Sequence, residues 1–289
     1  MTSTIKEEKD NQKIINITEE KDKVANAIDN VTKKAIKNIT VEGFRKGKAP
    51  KSVAKSKLDQ SKLLNEAINN LLPDLYKQAI TKLNLKPITD PKIEIVKFSE
   101  NDGLDVNVTI AEQPEIDLKD YKSNIKNYKK PIKKIDQDKL QAQEKTEEEK
   151  KQELKNGLLQ NLVNGADVKL ARLLIEQETG RMLNKLANSL YKMNITLEDY
   201  LKSQNKKVED IRKEYAKVAE QNLKSEFVLN AIGQKLKVKV EDNEITDEIN
   251  NAPDENTKKE LEKPENRWYI EGVIFTRKVL DKIEEIYHE

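Results

Sequence analysis

Every strand-like stretch of this chain lies before Pro114, and everything beyond Asp136 repeats its apolar residues at helical spacing. A strand reads with period two and a helix with period 3.6, so this segregation limits the fold classes available. It predicts an α+β N-terminal domain over residues 1–113 and an all-α domain over residues 136–289. Residues 114–135 carry Pro114, Pro131 and many lysines with weak periodicity, and read as an extended linker.

In the first part, residues 13–18 read as a strand, with residues 4–7 pairing to it across an Asp10-Asn11 turn. Residues 21–37 repeat Val24, Ile28, Val31, Ala35 and Ile36 at helical spacing. A short helix follows Pro50, and a longer one carries Leu64, Ile68, Leu71, Leu75, Ala79 and Leu83. Pro73 is expected to kink that helix or divide it. Two strands close the domain. Residues 104–110 alternate cleanly, whereas in residues 92–98 the face shared by Ile93 and Ile95 is broken by Lys97. The order β–β–α–α–α–β–β places helices on one face of a sheet.

The second part predicts helices over residues 140–164, 168–193, 197–204, 208–236, 241–250, 256–263 and 266–288. Thr196 is the expected cap of the third, with Asp199 in its first turn. Charged residues make up 37% of the chain and aromatics only 4%, which suits long amphipathic helices better than a β-rich body. Their apolar stripes are expected mainly to pack against one another in a bundle. The aromatic pair Trp268 and Tyr269 has two readings, contact with a bound peptide or a packing anchor, of which the anchor is preferred.

Several chemistries are disfavoured. The chain has no cysteine, and its single histidine, His288, is next to last. Thiolate or histidine catalysis and zinc binding are not expected, nor is any other metal or cofactor. No signal-peptide core or membrane-length apolar run is present, so a cytoplasmic protein without a membrane partner is expected. The acidic runs read as helix-surface charges rather than paired catalytic carboxylates.

Residues 43–50 read Gly-Phe-Arg-Lys-Gly-Lys-Ala-Pro, a tight loop with one aromatic and three cations. A phosphate-binding loop needs four residues between its glycines and a Ser or Thr after the lysine. Here three intervene and Ala49 follows, so nucleotide hydrolysis is not expected. Net charge is only +2, yet residues 33–57 hold nine cations against one acid, Glu42. Arg45 is suited to bidentate pairing with phosphate, and Lys46 and Lys48 to long-range attraction. Phe44 has two readings at this level: a docking tip, or an anchor tucked inward beneath a solvated basic loop.

The octet resembles the ribosome-docking signature of bacterial trigger factors. Residues 111–118, Ala-Glu-Gln-Pro-Glu-Ile-Asp-Leu, and Lys130-Pro131-Ile132 resemble the segment that leaves that family's N-terminal domain and the start of its connecting arm. The resemblance implies an ATP-independent chaperone of nascent chains that docks at the ribosomal exit tunnel, on a ribosomal protein and adjacent rRNA. Gly43, Phe44, Arg45, Lys46, Gly47 and Lys48 carry over as docking residues. The helical part then supplies arms and a client cradle, with contacts expected at Leu158, Leu162, Leu183, Leu186, Leu190, Ile270, Ile274 and Phe275. A weak homodimer away from the ribosome is a further expectation. The family usually inserts a peptidyl-prolyl isomerase domain after the connecting arm. Here helical sequence follows Pro131 almost at once, with the seam near residues 140–145, so no isomerase activity is expected. The alternative is an rRNA-binding or ribosome-assembly factor that uses the basic loop without binding clients.

Overall fold

A computed structural model describes residues 1–129 and 146–289, which form two compact units. The first comprises residues 1–113 together with 171–177. Strands β1 (Thr2–Lys9) and β2 (Gln12–Glu19) form a hairpin whose two turn residues, Asp10 and Asn11, have φ of 49° and 61°. Such left-handed turns match the twist of paired strands, and Asp and Asn tolerate them. Helices α1 (Lys21–Asn38), α2 (Lys51–Ser56) and α3 (Gln60–Lys82) follow, then β3 (Lys92–Ser99) and β4 (Gly103–Ala111). The sheet is antiparallel in the order β1-β2-β4-β3.

Register explains the core. Ile15 pairs with Val108 and Ile17 with Val106, so these side chains share one face with Leu104 and Ile110. All are buried, and Val24, Ile28 and Val31 of α1 and Leu63, Ala67, Ile68 and Leu75 of α3 belong to the same core. The broken alternation of β3 is a β-bulge: Ile95 pairs with Val106 and Lys97 with Asp105, leaving Val96 as the extra residue. Pro73 does not divide α3, which runs unbroken through it. Pro73 and Asn69 both lie on the exposed face, where water can serve the carbonyl that proline leaves unbonded.

Residues 171–177 join this unit through polar contacts that periodicity does not reveal. Gln12 Oε1 accepts from the Leu173 amide at 2.8 Å, and Gln177 Nε2 donates to the Asp90 carbonyl at 2.8 Å. Lys92 pairs with Glu176 at 3.3 Å.

Glu19, between β2 and α1, was also invisible to sequence reading. Its side chain is fully buried against the Met1 α-ammonium at 2.9 Å and Lys23 Nζ at 3.1 Å. It also accepts from the Glu20 amide at 3.1 Å. Burial pushes its pKa up, but these donors outweigh burial and hold it below the usual carboxylate value. A carboxyl whose pKa is lowered on folding adds stability above its unfolded value of about 4.3, and loses it as pH falls through the folded value. Thermal melts should therefore show Tm dropping in this acid range. Glu19→Gln should cost about 1–3 kcal/mol at neutral pH and blunt that drop. An acid response identical in variant and wild type would remove Glu19 as its cause.

The second unit holds residues 114–170 and 178–289. Its helices are α4 (Tyr121–Lys126), α5 (Glu147–Gly165), α6 (Arg172–Lys192) from residue 178 onward, α7 (Leu197–Ser203) and α8 (Val208–Lys235), then α9 (Asp242–Asn250), α10 (Glu255–Leu261) and α11 (Arg267–His288). The extended linker expected over residues 114–135 is corrected for its described part. Strand β5 (Ile116–Asp117) pairs with β6 (Asp167–Val168), and Leu118 and Ile125 are buried. The same pairing delays α6, because β6 takes the backbone of Val168 that periodicity assigns to the helix. Residues 130–135, including Pro131 and Ile132, and the seam at residues 140–145 lie outside the described residues.

Helix ends follow local chemistry. Thr146 and Glu149 form a capping box on α5, and the Thr196 side chain accepts from the Asp199 amide at 3.1 Å. Helices α3, α6 and α7 are each followed within two residues by an asparagine at positive φ: Asn84 at 50°, Asn194 at 54° and Asn205 at 49°. Helix α5 packs on α4, α8 and α11, and α11 also packs on α4, α8 and α9. Gly233 lets α11 approach α8, since a Cβ there would fall on Phe275 and Val279. Lys155 of α5 is nearly buried and pairs with Asp281 and with Glu284 of α11, the latter at 3.3 Å. Burial lowers its pKa, but the two carboxylates outweigh burial and raise it.

Candidate functional site

The residue 43–50 loop is held at its base by the main chain. Helix α1 ends where the Ile39 amide bonds back to the Ala35 carbonyl at 3.0 Å. The Gly47 amide then donates to the Ile39 carbonyl at 3.0 Å, closing the loop on itself. Two tight turns fill it, with Phe44 N–H on Val41 O at 3.0 Å and Lys48 N–H on Arg45 O at 2.8 Å. Gly43 and Gly47 take φ of 82° and 71°. Buried Val41 anchors the loop from below.

This geometry separates the two readings of Phe44. Phe44 is 44% exposed rather than tucked inward. Arg45, Lys46 and Lys48 are exposed beside it and make no ion pair among the described residues. The other cations of residues 33–57 lie exposed on α1, on α2 and just beyond it. One of them differs from expectation: Lys33 pairs with Asp29 at 2.5 Å, one helical turn earlier, and adds little free charge.

The expected client contacts divide differently. Leu158, Leu162, Leu190, Ile270 and Ile274 are buried among the described residues, so they are packing residues rather than open contacts. Leu183, Leu186 and Phe275 are half-buried, and Phe275 packs against Gly233. The faces of α5 and α11 that periodicity marks as apolar are consumed by their own packing.

Exposed apolar side chains lie elsewhere. Tyr191 is 83% exposed, and Met193, Ile195, Leu197, Val208 and Val218 are exposed on or between α6, α7 and α8. Trp268 and Tyr269, expected as a packing anchor, are 73% and 54% exposed, their rings edge-to-face at 6.3 Å, with Val273 exposed nearby. The expected bundle therefore holds for α4, α5, α8, α9 and α11, whereas α6 and α7 are not among the extensively packed helices. Sequence could have raised this: residues 191–197 crowd Tyr, Met, Ile and Leu around a helix stop, where few helical neighbours can cover them.

Among the described residues, no group of three carboxylates or histidines could hold a metal ion, and no helix is long and apolar enough to cross a membrane.

These features define an architecture: an α+β unit bearing an aromatic-tipped cationic loop, followed in sequence by a helical unit with uncovered apolar side chains. Two family models match it. The model described as bacterial trigger factor protein (TF) matches residues 1–147, and that for the bacterial trigger factor C-terminus matches residues 136–285. The chain belongs to the trigger factor family. The two matches overlap, so no stretch between them is left for a further domain.

Curated relatives include the trigger factor of Staphylococcus carnosus (strain TM300), 34% identical over 122 residues, which is 42% of this chain and 28% of the relative. The trigger factors of Staphylococcus aureus strains JH9 and Newman match equally, at 34% over 122 residues with the same coverage. The chain thus aligns with 28% of the length of these relatives. A solved structure of the trigger factor chaperone, described for promiscuous substrate recognition in folding and assembly, matches with a TM-score of 0.65. It covers 99% of this chain and 100% of the other at 15% identity, a likeness of fold.

Proposed function

We propose that this chain is an ATP-independent chaperone that docks on the ribosome through residues 43–48 and holds unfolded polypeptides on its helical unit. One observation carries the reading: Phe44 stands exposed, on a loop tied at its base, among three cations that form no ion pair among the described residues. A folded domain gains nothing by exposing an aromatic there. A surface meeting both rRNA phosphate and an apolar protein pocket gains charge attraction and apolar burial together. The exposed residues around α7 and at the start of α11 supply dispersed apolar area, which suits weak contact with many sequences. At about 25 cal/mol per Å², several such contacts are needed for useful affinity. The reading places the protein in the cytoplasm, where ribosomes are, and gives it no prolyl isomerase activity.

Cosedimentation with ribosomes tests it. Replacing Phe44, Arg45 and Lys46 together by alanine should abolish pelleting while leaving the circular dichroism spectrum unchanged, since all three are exposed loop residues. Wild-type binding should weaken with salt, by roughly 0.7–0.9 log units per log unit of salt for each phosphate contact. Undiminished pelleting of the triple variant would overturn the docking assignment. Loop-dependent binding of naked rRNA, with no slowing of client aggregation, would instead favour an assembly factor.

A further inference from the structure

A cleft of about 890 Å³ is lined by residues of α6 and α8. Its walls are not simply apolar. Met182 and Leu186 share them with the amides of Asn184, Asn188 and Asn222. At one end Glu178 holds Arg181 through two hydrogen bonds of 2.7 Å, which neutralises that cation, and Glu226 of α8 adds to the attraction. About one and three helical turns beyond Arg181 on α6 stand Lys185 and Lys192, both exposed and neither in an ion pair among the described residues. Residues 185, 188 and 192 succeed one another at three- and four-residue spacing, so the two free cations and an amide form one stripe. With Glu178 and Arg181 cancelling, Lys185 and Lys192 leave the lining with surplus positive charge.

We propose that this cleft takes an extended, acidic segment of an unfolded polypeptide; the inference rests on the chaperone reading above and names its preferred substrate. The asparagine amides offer donors and acceptors to the main chain of an extended segment, whatever its sequence. Lys185 and Lys192 select Asp or Glu side chains along it, and Met182 and Leu186 cover an intervening apolar side chain. Exposed ion pairs are weak singly, so two of them bias recognition without making it exclusive.

The test uses the full chain and two labelled, unstructured peptides of equal length and apolar content. One carries Asp and Glu where the other carries Lys. Fluorescence anisotropy at low salt should show the acidic peptide binding about tenfold more tightly, the scale of two exposed ion pairs. The preference should shrink as salt rises. Lys185→Gln with Lys192→Gln should remove it, and Lys185→Glu with Lys192→Glu should reverse it. Both positions are exposed on a helix surface, and circular dichroism checks that the variants stay folded. Equal affinity for the two peptides, preference for the basic one, or a preference that survives charge reversal would overturn the proposal. So would sedimentation showing that a second copy of this chain fills the cleft and excludes peptide. If the protein slows client aggregation without any charge preference, this inference falls and the chaperone reading stands. If it neither binds peptide nor slows aggregation, both fall.

Discussion

Leu158→Ala should lower the stability of the helical unit by about 3 kcal/mol, within the 2–5 kcal/mol range for emptying a buried leucine site. Leu158 is fully buried on α5, which packs against α4, α8 and α11. Removing its branched end forfeits transfer free energy and leaves a void that three neighbouring helices cannot all collapse to fill. Urea unfolding should show a lower midpoint with little change in slope. The client-contact reading of Leu158 predicts the reverse pattern: near-normal stability and weakened holding. Tyr191→Ala is the counterpart. Its ring is largely exposed, so stability should move by less than about 0.5 kcal/mol, while suppression of client aggregation should weaken. A stable Leu158→Ala protein that has lost client holding would return Leu158 to the surface and undo this assignment.

Gly47→Ala should impair the proposed ribosome docking by tenfold or more although every side chain assigned to it is kept, while Gly43→Ala should be mild. The two glycines look alike in sequence and both have positive φ, at 71° and 82°. An alanine in the left-handed region costs about 1–2 kcal/mol at either position. Their surroundings differ. A Cβ on Gly43 meets nothing within 4 Å, whereas one on Gly47 falls on the backbone carbonyl of Lys37. Backbone cannot swing aside as a side-chain end can, so the 47 position must move. Its amide bond to Ile39 closes the loop, and losing it frees Phe44, Arg45 and Lys46 from their common presentation. Ribosome pelleting of the two variants, each checked for intact secondary structure, measures the contrast. Equal behaviour of Gly43→Ala and Gly47→Ala would show that the closed base of the loop has no part in docking.

Much of the fold was legible because local rules and tertiary packing agree. The alternation of Leu104, Val106, Val108 and Ile110 marks a strand with one buried face, and all four are in the core. The Asp10-Asn11 turn and the Thr196 cap are set by residues adjacent in sequence. Even the irregularity of residues 92–98 was informative, since a bulge is the way a strand accommodates a shifted pattern. The loop at residues 43–50 could be found because glycine spacing and charge are local properties. Whether Phe44 pointed outward could not, because an aromatic ring on a loop has no periodicity to orient it.

What sequence alone determined, then, is the α+β-then-α organisation, the strand register face, the helix stops and the cationic loop proposed to dock. Each depends on side-chain period, backbone φ preference or charge within a few residues. Only the tertiary structure decided which apolar stripes are core. A helix face around Leu158 and a run around Tyr191 both read as apolar in sequence, but α5 meets three partner helices while α6 and α7 are not extensively packed. It also recruited residues 171–177 to the first unit, through amide contacts with Gln12 and Asp90 across more than eighty residues of chain. It buried Glu19 beside two ammonium groups as well. Burial depends on what lies opposite in space, and no pattern along a single segment encodes its partner.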